Sequence, residues 1–237
     1  QIKVNSFLAL SSASSIEAAD KASAEPALPA PAGPAEPTEP KAQPDAAAKA
    51  WRGPVWPAKA DEWPTYRGNI TRSGSTQTPV PAKLKELCRT PVGGALTAPV
   101  AAAGRICVCR KDGLTVQCLD AATGKPLWQF VAAGRLDSPP TLCGDLCVFG
   151  CGDGWVYCLR AADGKLAWRS RVAPADRLLV ADSRVESVWP VSGSVLVLDG
   201  VVYCAAGRSS FLDGGIRVVG LDLATGKKLC QTSLATG

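Results

Sequence analysis

Apolar and polar positions alternate in short runs over the second half of the chain, and the runs recur. From Gly104 to Trp128 the sequence reads GRICVCRKDGLTVQCLDAATGKPLW, and from Gly144 to Trp168 it reads GDLCVFGCGDGWVYCLRAADGKLAW. A third copy, GVVYCAAGRSSFLDGGIRVVGLDLATGKKLC, runs from Gly200 to Cys230. Alternation rich in β-branched and aromatic residues predicts half-buried strands. Asp112-Gly113 and Asp153-Gly154 predict tight hairpins, and the AATGK and AADGK stretches predict the next ones. One more candidate strand precedes each copy: LTAPVAA near Leu96, PPTLC near Pro140 and GSVLVLD near Val195.

Four short antiparallel strands per ~40 residues, with no helical period, are the signature of propeller blades. The expectation is an all-β partial β-propeller of three four-stranded blades, at about residues 95–131, 137–172 and 193–234. The stretch KLKELCRTPVGG, residues 83–94, reads as the outer strand of a preceding blade. Aligned on their leading glycines, the copies make Asp120, Arg160 and Asp222 equivalent, and likewise Gly124, Gly164 and Gly226. The same alignment pairs Cys107 with Cys147 and Cys118 with Cys158.

Composition separates the first 60 residues from the rest. They hold nine of the 19 prolines, are crowded with alanine, and carry six basic and six acidic side chains. Residues 1–60 therefore read as an extended Pro/Ala-rich arm, and residues 61–237 as the repeat domain. The net charge of +5 belongs to the repeat domain and is scattered along it. Nucleic-acid binding would need basic residues gathered on one face, so nucleic acid is not an expected partner. No apolar run approaches the ~20 residues of a membrane span, although peripheral attachment to a membrane complex is compatible with the pattern. The first residue is Gln, which reads as a maturation or truncation point.

On these residues the repeat resembles the PQQ-like β-propeller repeat of quinoprotein dehydrogenases and outer-membrane-protein assembly factors. The shared elements are a glycine-led apolar strand, Asp-Gly, a strand ending in Leu-Asp, and Ala-x-x-Gly-Lys-x-Leu-Trp. WPTYRGNITRSG, Trp63 to Gly74, resembles the lead-in before the first blade of bacterial members. The resemblance implies that the last aromatic of each copy docks between neighbouring blades. That slot holds Cys88, Trp128, Trp168 and Cys230 here, so two of the four tryptophans are replaced. It also implies an exported setting, and an Ala/Pro-rich arm suits an imported organellar protein as well. Three blades leave two open sheet edges, so the expectation is that further residues or another chain complete the ring or cover the arc.

Ten cysteines accompany no histidine and no methionine. The favoured reading makes them small buried hydrophobes, since recurrence at equivalent repeat slots is what packing produces. The alternative is disulfides, with Cys109–Cys118 and Cys143–Cys151 as nearby candidates. Cys143, Cys147 and Cys151 are evenly spaced but lack a CxxC pair, which argues against a metal or iron–sulfur site. A catalytic thiol would want a neighbouring base, and histidine is unavailable.

A quinone site of the dehydrogenase type implies a disulfide between adjacent cysteines, a calcium ion with carboxylate and amide ligands, and a catalytic aspartate. This chain has no adjacent cysteines, and its asparagines are Asn5 and Asn69, outside the blades. No catalytic, cofactor-binding or metal-binding residue is therefore assigned. Chemistry of another kind sits in two insertions. Trp168 and Gly200 are 32 positions apart, against 16 between Trp128 and Gly144, and GRSSFLDGG lengthens the hairpin after Cys204. Long loops on a rigid scaffold are where binding residues sit, and Arg and Trp are enriched at interfaces. Candidate partner-binding residues are Arg177, Arg184, Glu186, Trp189, Arg208 and Phe211; Trp128, Trp168, Gly124, Gly164 and Gly226 are structural. The reading is a non-enzymatic scaffold or interaction subunit of a larger assembly. The alternatives are part of a quinone-dependent or ligand-binding ring completed by another chain, and an assembly factor for exported or membrane proteins.

Overall fold

The computed structural model describes residues 61–236, apart from positions 80, 81, 84, 85 and 182. These lie in one compact unit, residues 42–237. The arm expected over residues 1–60 lies outside the described residues.

Three sheets of four antiparallel strands follow one another along the chain, each in simple meander order. The first comprises β1 (Val100–Ala102), β2 (Arg105–Arg110), β3 (Thr115–Asp120) and β4 (Pro126–Val131). The second comprises β5 (Thr141–Cys143), β6 (Leu146–Gly150), β7 (Trp155–Arg160) and β8 (Leu166–Arg171). β9 (Leu178–Ala181) and β10 (Arg184–Ser187) form a separate two-stranded hairpin within the long connection, which the sequence had presented as a loop. The third blade is β11 (Leu196–Leu198), β12 (Val201–Ala206), β13 (Ile216–Asp222) and β14 (Lys228–Leu234). A bulge recurs at one place in every blade, between Cys118 and Leu119, Cys158 and Leu159, and Gly220 and Leu221.

The hairpin registers correct the glycine-led alignment by one residue. Ala102 pairs with Arg105 across a turn of Ala103 and Gly104, whereas Cys143 pairs with Leu146 across Gly144 and Asp145. Gly144 therefore matches Ala103, not Gly104. Cys118 lies opposite Cys107, and its counterpart Cys158 lies opposite Val148. A one-residue shift turns a strand residue to the other face of its sheet. Cys147 thus faces back to the first blade while Cys107 faces forward to the second. The two cores reflect this. Cys107, Cys109, Cys118, Cys147 and Cys151 share the first inter-blade core with Phe149 and Tyr157. Cys143, Cys158 and Cys204 lie in the second with Val148, Trp168 and Trp189.

All ten cysteines are free thiols, eight of them buried, so the candidate bridges Cys109–Cys118 and Cys143–Cys151 are not formed. Cys118, Cys158 and Gly220 each lie directly across the ladder from the slot residues Trp128, Trp168 and Cys230. A small residue beside a large one is the packing requirement there.

The slot works as the repeat implies. Trp128 rests on Gly164 and Trp168 on Gly226, where an added Cβ would stand 2.5 Å from each indole. Trp128 Nε1 donates to the Ala161 carbonyl at 2.9 Å, and Trp168 Nε1 to that of Leu223 at 2.8 Å. Ahead of the first blade, Cys88 and the Thr90 hydroxyl take the place over Gly124, and Thr90 donates to the Gly124 carbonyl at 2.6 Å. The described residues around Cys88 form no strand, so the expected extra outer strand is replaced by an extended segment holding the same slot.

The lead-in laces the inner strands together. Trp63 exchanges backbone hydrogen bonds with Ala101 of β1, and Leu142 N–H donates to the Pro64 carbonyl. Thr141 Oγ1 donates to the Val195 carbonyl at 3.1 Å, which leaves the Thr65 hydroxyl to donate to Thr141 at 2.9 Å. Arg72 completes the lacing with a 2.9 Å bond to the Ser194 carbonyl.

Candidate functional site

The two insertions that interrupt the repeat meet on one face. Val188 N–H donates to the Arg177 carbonyl and closes the base of the β9–β10 hairpin, while Ser187 N–H donates to Gly152 at the tip of the second blade. From the other insertion, Gly207 N–H donates to the Pro190 carbonyl. Side chains complete the joint. Arg208 pairs with Glu186 at 2.7 Å, and Arg177 pairs with Asp213 at 3.2 Å. Trp189 Nε1 donates to the Asp213 carbonyl at 2.9 Å.

Four of the sequence-predicted residues, Arg177, Glu186, Trp189 and Arg208, therefore act as one joint between insertions far apart in the sequence. Trp189 is 7 % exposed and belongs to the core beneath the joint, so it braces the face from behind and offers no contact surface. Phe211, at the apex of the second insertion, is 74 % exposed. Arg184 goes elsewhere: its Nη1 reaches Asp112 Oδ1 of the first blade at 2.6 Å. That hydrogen bond from the guanidinium holds Asp112 below the usual carboxylate range. The structural residues Trp128, Trp168, Gly124, Gly164 and Gly226 all stand at the inter-blade slots described above.

Sequence reasoning missed the apolar part of the face. Leu178, Val180 and Val185 of the hairpin are exposed, as are Phe211 and Leu212 of the other insertion. Alternation in the run RLLVA was the available signal, masked because the segment interrupts the repeat. In the β9–β10 ladder Leu178 and Val180 are non-hydrogen-bonded positions, so their backbone groups point to the hairpin's outer edge. Beside the hairpin lies a cavity of about 270 Å³, lined by Asp112, Leu114, Arg135, Arg184 and Val185 among others.

Burial dominates the titration behaviour of the interior. It pushes the Cys109 thiol up to about 12, against the Thr97 hydroxyl, and pushes Cys143 and Cys204 up to about 12. Burial, then the neighbouring Asp153 carboxylate, also raises the Tyr157 phenol, whose hydroxyl donates to Asp153 Oδ2 at 2.5 Å. Cys107 faces Cys118 across its own blade and shares the inter-blade core with Cys147 of the next, and the three thiols influence one another's titration. Thiols held protonated in this way are inert as nucleophiles while the core around them stays closed.

A quinone and calcium site of the dehydrogenase kind does not fit the described residues. The Asn69 side chain is committed within the lead-in turn, donating to Ser73 Oγ and accepting from Thr71 and the Ser73 N–H. Among the described residues no three His, Cys, Asp or Glu side chains are grouped as metal ligands. No helix among them is long and apolar enough to cross a membrane.

Residues 54–237 match the family model described as outer membrane protein assembly factor BamB. Among solved structures, a europium-containing methanol dehydrogenase is similar with a TM-score of 0.59 and 16 % identity, over 74 % of this chain and 32 % of that one. A quinohemoprotein alcohol dehydrogenase from Comamonas testosteroni is similar with a TM-score of 0.56 and 17 % identity, over 81 % of this chain and 30 % of that one. BamB from Moraxella catarrhalis matches at a TM-score of 0.35 and 21 % identity, over 56 % of this chain and 47 % of that one. No curated protein matches the sequence at a significant level. The chain thus spans about a third of the length of the dehydrogenases whose fold it shares.

Proposed function

Since the chain belongs to the family of outer membrane protein assembly factor BamB, built of PQQ-like propeller repeats, we propose that it is a non-enzymatic scaffold that binds other protein subunits of a larger assembly. The observation that carries this reading is the joined pair of insertions. Two ion pairs and the buried Trp189 fix a rigid base, and five large apolar side chains stand exposed on it. Large apolar side chains exposed on a rigid scaffold suit a protein-interaction surface, because their burial is favourable and the geometry is already set.

Arg177, Glu186 and Arg208 serve as the frame of this face, and Phe211 as its anchor, with Arg184 placed to set the edge against the first blade. The chemistry supports a protein partner over nucleic acid, because the arginines are already matched by Asp112, Glu186 and Asp213. An exported or organellar compartment is part of the same proposal, resting on the family.

The test is photo-crosslinking from the natural source. A benzophenone side chain placed at Phe211 or Val180 should yield adducts with one or two defined proteins, and the chain should purify well above its own 24.5 kDa. The same probe at Lys125, on a turn of the first blade, should yield none. A folded monomer with no adduct at either insertion position would overturn the scaffold reading.

A further inference from the structure

The phase of the β2–β3 ladder determines how two of the buried thiols meet. Ala121 N–H donates to the Gly104 carbonyl at 2.9 Å, which makes Gly104 and Ala121 a hydrogen-bonded pair. Pair types alternate along an antiparallel ladder. Counting inward through Arg105↔Asp120 and Ile106↔Leu119, the pair Cys107↔Cys118 is non-hydrogen-bonded. In that pair type the Cα atoms approach to ~4.5 Å with both side chains on one face. Disulfides bridge Cα separations of ~4.4–6.8 Å. The other buried cysteines of the ladders face Val116, Leu146, Leu159, Val148 and Val219, so this is the pair with cysteine on both sides. Cys147 of the neighbouring blade shares the same buried core as a third thiol.

We propose that Cys107 and Cys118 form an oxidisable dithiol that a small disulfide oxidant closes into a cross-strand bridge, with Cys147 remaining a thiol. The step balances as two exchanges. The sulfur of one cysteine attacks the oxidant RSSR, gives a mixed disulfide and releases RSH. The second cysteine then attacks the protein-side sulfur of that mixed disulfide and releases another RSH. Two thiol protons and two electrons pass to the oxidant, and one S–S bond replaces another.

Cys107 wins over Cys109 for geometric reasons. Cys109 lies across from Val116, and its N–H is held by the Thr97 hydroxyl at 3.1 Å. Cys118 wins over Cys147 because its distance to Cys107 is fixed by adjacent backbone, whereas Cys147 is carried by a separate blade. Both partners are fully buried, so an oxidant reaches them during folding or a transient opening of the first blade. The bond state would then record the compartment in which the chain folded: open under reducing conditions and closed under oxidising ones.

The experiment refolds the full chain in oxidised or reduced glutathione, alkylates remaining thiols in denaturant, and maps tryptic peptides. Cleavage at Arg105 and Arg110 isolates Ile106–Arg110, and Cys118 lies in the peptide beginning at Asp112. The expected result is a cross-link between these two peptides, two hydrogen masses lighter than their sum, in oxidised samples alone. It should survive Cys109→Ala and Cys147→Ala and vanish in Cys118→Ala. A link from Ile106–Arg110 to the peptide carrying Cys147, or ten alkylated cysteines after oxidative refolding, would overturn the proposal. If a variant fails to fold, fragment ions of the cross-linked Ile106–Arg110 peptide from the unsubstituted chain decide, since they show which of Cys107 and Cys109 is alkylated and which is bridged.

Discussion

Trp168 and Gly226 are made for one another across the boundary between the second and third blades. The indole occupies the space a Cβ at residue 226 would need, and the glycine sits at φ +70°, where an L side chain is strained. The same pairing recurs between Trp128 and Gly164, so inter-blade order is written into one large and one absent side chain.

Removing either half should be costly and the two costs should overlap. Trp168→Ala leaves a cavity in a fully packed site and should lose ~3–5 kcal/mol. Gly226→Ala combines positive-φ strain with overpacking and should lose roughly 2–4 kcal/mol. In the double variant the new methyl enters the space the indole left. Urea unfolding of the four proteins in the cycle should therefore give a total smaller than the sum, and strict additivity would show that the two residues do not meet.

The lead-in offers a second test, at the hydroxyl chain from Thr65 through Thr141 to the Val195 carbonyl. Thr141→Val keeps the volume but removes the acceptor for Thr65 and the donor for Val195. Thr65 is 3 % exposed, so its hydroxyl would be stranded away from water. The expected loss is ~1–3 kcal/mol, with Thr65→Val/Thr141→Val less destabilised than Thr141→Val alone. Thermal melts of the unsubstituted protein and both variants give the ordering, and equal melting points for all three would show that the hydroxyl chain does not stabilise the fold.

Turn chemistry differs between blades in a way that ranks three carboxylates. In the first and third blades Asp120 and Asp222 each accept from the N–H and hydroxyl of the threonine three residues on. The second blade exchanges the parts: Arg160 stands in place of the aspartate and Asp163 in place of the threonine, and the two form an ion pair. Asp222→Ala removes a turn-closing acceptor and should cost ~1 kcal/mol. Asp163→Ala removes mainly an exposed pair worth ~0–1 kcal/mol. Raising the salt concentration should narrow Asp163's cost and leave that of Asp222 unchanged.

The legibility of this molecule in its sequence follows the repeat. Alternation, Asp-Gly turns and the recurrent Gly-Lys hairpin identify four-stranded blades, and the docking role of Trp128 and Trp168 is implied by the resemblance to the PQQ-like repeat. Glycine identity is a misleading guide to the repeat's phase: Gly104 and Gly144 occupy different positions of their two-residue turns. That single residue decides which face Cys107 and Cys147 present, so the cysteine-rich core between the first two blades was invisible. The insertion hairpin β9–β10 was missed because nothing in a repeat template predicts what interrupts it. Its joint with the loop carrying Asp213 depends on contacts between residues far apart in the chain, which no local pattern encodes.

The buried thiols make the fold sensitive to alkali, and the sign follows from which state holds the protons. Cys107, Cys109, Cys118, Cys143, Cys147, Cys151, Cys158 and Cys204 are all raised above the ordinary thiol value. For most of them burial is the leading cause; for Cys118 it is the contact with the Cys107 thiol, and for Cys107 and Cys147 the largest single influence is a thiol contact that acts downward, which burial and the other neighbouring sulfurs together exceed. In the unfolded chain the same groups ionise near ~8.5. A raised folded value means the contribution is fully present below the unfolded value and is lost as pH rises through the interval up to the folded one. Above about pH 9 each such thiol should remove ~1.4 kcal/mol of stability per pH unit, because the unfolded state binds fewer protons. The urea midpoint, measured in the presence of a reductant, should be level from about pH 7 to 8 and fall steeply between about 9 and 10. Cys204→Ala should lessen that slope by one thiol's share while lowering the plateau. A midpoint that stays level through the same range would mean that water reaches these sulfurs, and that the inter-blade cores are not closed.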